Sequence, residues 1–305
     1  MGDKYTGCLM GLAIGDALGT PFEFWNKMQI SEHLSNSSLC MRDYERGGRN
    51  FPKGFYSDDS SQMICLAESL TEKGFDLDDQ YNRYRKWLLH GYATPMGDKS
   101  YGAGQHTLKV LMKESRQKDD LDGQDKFAGG NGALMRCAPI GLYYQGNLDE
   151  IKEKSLLSAY VTHNSSLSGW CCVIVNCAIS LIIDGNSKEH ILNIIKNHFN
   201  NELPKNLYYS LSEDYQNMPD FPFKISGYSF DTLQIALWSW IRAQSFEESL
   251  NNAIRLGNDV DTFAAITGAL AGCYWGYESI PDQWKDNLLR ADYIKDLAVA
   301  LEKKL

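Results

Sequence analysis

Two short acidic clusters constrain the fold of this chain more than any other feature: Ser57-Asp58-Asp59-Ser60 near its start and Asp259-Val260-Asp261-Thr262 near its end. Each pairs carboxylates with hydroxyls where an apolar helical pattern begins. A hard divalent cation takes about six oxygen ligands, and adjacent Asp and Ser/Thr side chains at a helix start aim several oxygens at one point. Carboxylates brought together otherwise repel, and a helix N-terminus offsets only about half a charge. The plainer reading is that Ser57 or Asp58 caps one helix and Asp259 or Asp261 another, as Ser and Asp routinely do. Repetition of the pattern favours one shared metal site. Sharing it requires the two ends of the chain to meet, so a single domain over residues 1–305 is expected.

The periodicity around the clusters is helical. Gly7, Gly11, Gly15 and Gly19 recur every four residues, which places them on one slowly drifting face where a second helix can approach closely. Met63, Ile64, Ala67 and Leu70 follow the first cluster at helical spacing, and another helix is predicted over 78–90. Ser187 is placed to cap a helix reaching about Asn197, and Ser245-Phe246-Glu247-Glu248 has capping-box spacing. Gly257 is expected to end the helix that follows. The second cluster then opens a helix with Phe263, Ile266 and Leu270 inward and Gly268 and Gly272 permitting close packing. Stretches 231–244 and 293–303 carry the same three-and-four spacing. Residues 28–54 read as loop with room for a short helix, and 201–229 as a long loop. Sustained alternation of period two is absent, so the fold class is all-α.

Composition narrows the function. A net charge of -9 without a Lys/Arg cluster argues against nucleic acid. Eight cysteines without Cys-x-x-Cys spacing sit mostly in apolar helical patterns and read as buried thiols of a reducing compartment. The N-terminus lacks a basic region followed by an apolar run, so a cytoplasmic protein is expected. The most apolar run, Trp170 to Ile183, is too short to span a bilayer and is interrupted by Asn176 and Ser180, so no membrane partner is expected.

Other constellations carry weaker signals. Gly129-Gly130-Asn131-Gly132 precedes a plausible helix start, where backbone N–H groups can cradle phosphate, although glycine-rich loops are common without a ligand. Tyr101-Gly102-Ala103-Gly104 fails the dinucleotide fingerprint, because no strand precedes it and a glycine is missing. His163, in Thr162-His163-Asn164, lies at a corner between helical stretches, a frequent place for a structural histidine. Glu23 follows the first helix between Phe22 and Phe24 and by itself reads as a surface carboxylate. No Ser-His-Asp or Cys-His arrangement supports a nucleophilic mechanism.

Taken in order, these pieces resemble the ADP-ribosylglycohydrolase family. The opening Gly11-Leu12-Ala13-Ile14-Gly15-Asp16-Ala17-Leu18-Gly19 with Pro21-Phe22-Glu23-Phe24 is similar to its first motif, and Ser57-Asp58-Asp59-Ser60 to its Thr-Asp-Asp-Thr. Gly130-Asn131-Gly132-Ala133-Leu134-Met135-Arg136 resembles its glycine loop and Thr162-His163 its Thr-His. Ser226-Gly227-Tyr228, Asp231-Thr232-Leu233 and Gly257 to Thr262 match its C-terminal block.

The resemblance implies a compact orthogonal bundle of helices with a central cleft holding two Mg²⁺ or Mn²⁺ ions. By matched position Ser57, Asp58, Asp59, Asp259, Asp261 and Thr262 are the metal ligands. Asp58, Asp59 and Glu23 are the catalytic candidates; Gly130, Asn131, Gly132, His163, Tyr101 and Gly102 are the candidates for binding ADP-ribose. Serine replaces threonine at 57 and 60 and keeps the oxygen, while Gly102 lies near the place where many bacterial relatives carry an Asp. The expected activity of the monomer is removal of ADP-ribose from protein, foremost from arginine, by a metal-oriented water attacking the anomeric carbon. The alternative is an ADP-ribose reader or inhibitor that blocks an ADP-ribosyltransferase or toxin, as an immunity protein does.

Overall fold

A computed structural model describes residues 2–35, 38–116, 122–125, 127–212 and 218–304. Its first half holds α1 (Gly2–Gly19), α2 (Lys27–His33), strands β1 (Tyr44–Arg46) and β2 (Arg49–Phe51), α3 (Asp58–Lys73), α4 (Leu77–His90), α5 (Gln105–Leu111) and α6 (Ala138–Tyr143). There follow α7 (Leu148–Tyr160), α8 (Ser166–Ile183), α9 (Lys188–His198), α10 (Lys205–Ser210), α11 (Ser229–Ile241) and α12 (Phe246–Ile254). Helices α13 (Val260–Trp275), α14 (Asp282–Lys285) and α15 (Ala291–Glu302) complete the chain. The all-α expectation holds with one addition. Gly47 and Gly48, both at positive φ, make the two-residue turn that an antiparallel hairpin favours, and Tyr44 pairs with Phe51.

The glycine ladder of α1 finds its partner at the other end of the sequence. A Cβ on Gly11 would overlap the carbonyl of Gly268, and one on Gly268 the carbonyl of Gly11; Gly7 and Gly272 oppose each other likewise. The two backbones therefore touch, as only residues without side chains permit. Because α1 and α13 run antiparallel, the place where a Cβ of Gly19 would sit is filled by the backbone of Asp261. Backbone contact between helices thus delivers the second acidic cluster to the C-terminal end of α1.

Other expectations need adjustment. Helix α8 begins at Ser166, before the apolar run, and is long and apolar enough by composition to cross a membrane, but 89% of it is buried inside the protein. It packs against α6, α7, α11 and α13 as a core helix. Gly257 does not cap α12, which ends at Ile254 with Arg255 as its cap. Instead Gly257, at φ +79, lets the chain press against the backbone of Trp25, Asn26 and Lys27, where a side chain would collide. Ser187 stands at the N-cap of α9 without a side-chain capping bond, and its hydroxyl lies 3.2 Å from Nδ1 of His190. The long loop 201–229 contains α10, and its residues 213–217 lie outside the described part.

Candidate metal centre and substrate cleft

The site is assembled from three helix ends. Asp16, fully buried near the end of α1, accepts hydrogen bonds from the Ser57 N–H (2.9 Å), the Ser60 N–H (3.0 Å) and the Ser60 hydroxyl (2.6 Å). This carboxylate, rather than Ser57 or Asp58, satisfies the N-terminus of α3. Ser57 occupies the N-cap position but makes no side-chain capping bond, and its hydroxyl donates to Asp59 Oδ2 at 3.0 Å. Asp259 likewise occupies the N-cap of α13 without capping it. The plain capping reading accounts for neither cluster.

Carboxylates from both ends of the chain now converge. Asp16, Asp59 and Asp261 place one oxygen each within 4.8 Å of one another, as do Glu23, Asp259 and Asp261. Asp261 belongs to both groups. Burial first, then neighbouring carboxylates, push the carboxyls of Asp58, Asp59 and Asp261 well above their ordinary range. Burial also raises Asp16, Asp259 and Glu23, opposed at Asp16 by hydrogen bonds from Ser60 and Ser57 and at Glu23 by Arg46. Asp59 Oδ1 and Asp261 Oδ1 are buried with no hydrogen-bond partner. Orphaned acceptors of this kind are costly, and hard divalent cations are what such an all-oxygen donor set satisfies. The residues present fit Mg²⁺ or Mn²⁺.

Glu23 reaches this floor through a backbone strap. The Phe24 N–H donates to the Asn258 carbonyl and the Asn258 N–H to the Trp25 carbonyl, each at 2.7 Å. Arg46, from the hairpin, pairs with the Glu23 carboxylate, donates to the Thr20 carbonyl and reaches the Tyr101 hydroxyl at 3.1 Å. Sequence reading assigned no role to Asp16 or Arg46. Asp16 had a signal, a lone carboxylate inside a glycine-laddered apolar helix; Arg46 had none.

Above the floor stands the glycine loop. Asn131 does not offer its backbone N–H to a ligand, since that group donates to the Gly227 carbonyl at 3.0 Å. Its side-chain amide donates to Asp259 Oδ2 at 2.7 Å and Thr232 Oγ1 at 3.1 Å, tying the loop to the carboxylates. A side chain on Gly132 would run into the His163 ring. Arg136, buried over the Tyr84 ring, donates to the Thr162 hydroxyl at 2.6 Å, and that hydroxyl lies 2.9 Å from His163 Nδ1. A guanidinium only donates, so the Thr162 proton is left for Nδ1 and the imidazole carries its own on Nε2, facing the glycine loop. Burial, with Arg136 and His106, holds the His163 pKa well below its usual value, so the ring is neutral.

Floor and wall enclose a cleft of about 290 Å³ lined by Glu23, Asp58, Asp259, Asp261, Thr262 and the Gly130–Gly132 loop with His163. Ser57 and Asp59 are buried and are not among the lining residues. Tyr101 is not among the lining residues: its ring packs on Phe51 and Phe55 and its hydroxyl meets Arg46. Gly102 does line the cleft, at φ +90, and a Cβ there would overlap the Asp58 carboxylate. Gly102→Ala should therefore displace Asp58 and lower turnover on the order of a hundredfold, because misplacement by an ångström costs that much. Steady-state rates beside a thermal melt check this, and a lower melting temperature is expected as well, because alanine is strained at φ +90.

Comparison with known proteins decides the family. The family model for ADP-ribosylglycohydrolase matches residues 1–305. The chain belongs to that family. Among the relatives of this glycohydrolase, the ADP-ribosylarginine hydrolase Tri1 of Pseudomonas putida is 30% identical over 302 residues, covering 98% of this chain and 78% of its own. The ADP-ribosyl-[dinitrogen reductase] glycohydrolase of Rhodospirillum rubrum is 26% identical, covering 94% and 90%. A solved structure described as an ADP-ribosylglycohydrolase-related protein complex superposes with a TM-score of 0.82 at 31% identity, covering 99% of this chain and 98% of that one. The protein is thus a hydrolase that removes ADP-ribose, of a metal-dependent family, and its buried acidic groups agree with that chemistry.

Proposed function

We propose that this glycohydrolase cleaves the bond between ADP-ribose and a modified protein side chain, with arginine as the preferred acceptor and two Mg²⁺ or Mn²⁺ ions as cofactors. The observation that carries the reading is the convergence of two carboxylate triplets on Asp261 beneath a glycine-lined cleft. The name of the Tri1 relatives supports the arginine preference. Bound there, the ions would supply Lewis-acid chemistry that lowers the pKa of the attacking water. Asp59, Asp259 and Asp261, with Ser57, Asp58 and Thr262 beside them, would hold the ions, while Asp16 anchors the start of α3.

Of the candidate bases, Asp58 lines the cleft and the buried Asp59 does not, so Asp58 takes the water's proton as positive charge develops on the ribose. Glu23 is committed to Arg46 and serves to orient water or substrate at the edge of the floor. His163 presents a neutral Nε2–H beside the glycine loop, a donor for the diphosphate that adds no charge. Release of ADP-ribose from defined arginine-linked and serine-linked proteins, with and without chelator, tests the reading. The arginine-linked substrate should be favoured by well over about tenfold, since a site built to hydrogen-bond a polar group rejects an analogue lacking it by up to about 10⁴-fold. Equal rates would overturn the arginine preference, and binding without release would favour an ADP-ribose reader.

A further inference from the structure

An aromatic ring is held at the lip of the cleft against its conformational preference. Phe24 is 72% exposed, lines the cleft beside Glu23 and Asn258, and has φ +65. A bulky residue rarely adopts that backbone, and core packing does not require it here. Its neighbours turn inward: Phe22 and Trp25 meet edge to face at 5.5 Å, and Trp25 meets His33 at 5.7 Å, while Phe24 points away. The residue bonded to it, Asn258, also has positive φ, +77. Among the described residues four non-glycines have positive φ, and two of them are joined at this one corner of the cleft. Strain concentrated this way accompanies functional sites.

We propose that Phe24 recognises the acceptor, its exposed ring face receiving the planar guanidinium of the ADP-ribosylated arginine. The inference deepens the arginine reading above and rests on it. The glycine loop and His163 line the same cleft and, in the reading above, take the diphosphate, which leaves the exposed Phe24 ring for the group attached to the anomeric carbon. A ring face attracts a cation. Free ADP-ribose lacks the acceptor and does not reach the ring.

The test uses the full chain with Mn²⁺ and measures two quantities for each variant: kcat/KM on ADP-ribosyl-arginine and the Kd for free ADP-ribose. Phe24→Leu keeps apolar bulk but loses the ring face, and should lower kcat/KM by about tenfold, the scale of a cation–π contact, while changing the ADP-ribose Kd by less than about twofold. Phe24→Tyr and Phe24→Trp should restore kcat/KM. Phe24→Gly removes the backbone strain, so its melting temperature should be no lower than wild type although its kcat/KM falls as for Leu; a merely structural ring would not separate the two. Unchanged kcat/KM in the Leu variant, or equal losses in both quantities, overturns the role of Phe24 while leaving the arginine reading intact. A wild-type protein inactive on arginine-linked substrate overturns both.

Discussion

Asp261→Asn, assayed with saturating Mg²⁺ or Mn²⁺, should lower ADP-ribose release by about a thousandfold or more. Changes in the surroundings of a metal ligand already cost about 10- to 100-fold, and this substitution alters the one carboxylate common to both acidic groups. The amide keeps the shape of the side chain, so the helices remain. With chelator present the variant should melt at a higher temperature than wild type, because one carboxylate is removed from a buried, mutually repelling cluster. On adding metal the order should reverse, since binding to the folded state alone stabilises it. Thermal melts of both proteins with and without metal read this, and retained turnover in the purified variant with chelator present would sink the assignment.

The pH dependence of stability should change sign with metal. In chelator, Asp16, Asp58, Asp59, Asp259, Asp261 and Glu23 all have carboxyls raised on folding, chiefly by burial. The folded protein then keeps protons that the unfolded chain has released. Its stabilising contribution is full below the unfolded value of about 4, and is lost as pH rises through the raised folded values, at about 1.4 kcal/mol per pH unit for each extra proton held. With saturating Mg²⁺ or Mn²⁺ the carboxylates are needed ionised, so stability should increase over the same rise in pH. Denaturant melts from pH 4 to 8 in the two conditions check it. Parallel curves would mean that the cluster does not bind the cation.

Much of this arrangement is legible in the residues themselves. The four-residue glycine spacing of α1, with Gly268 and Gly272 in α13, announces backbone contact because hydrogen is the smallest possible side chain. The acidic clusters announce oxygen-rich chemistry because carboxylates seldom gather at two helix starts for capping alone. What escapes is whatever depends on a partner distant in sequence. Gly257 reads as a helix stop, yet its missing side chain makes room for the strap at Trp25 to Lys27. Tyr101 reads as part of a ligand loop, yet its hydroxyl meets Arg46 of a hairpin that carries no long alternating pattern.

The sequence by itself determined the helical periodicity, the oxygen ligand types and the requirement that both ends of the chain meet, since these follow from local spacing and side-chain chemistry. Only the tertiary structure decided that Asp16 rather than Ser57 satisfies α3, that Asp261 is common to both carboxylate groups, and that Asp58 lines the cleft while Asp59 does not. Those distinctions depend on the antiparallel register of α1 on α13, set by close packing between residues far apart in the chain, which no local pattern encodes.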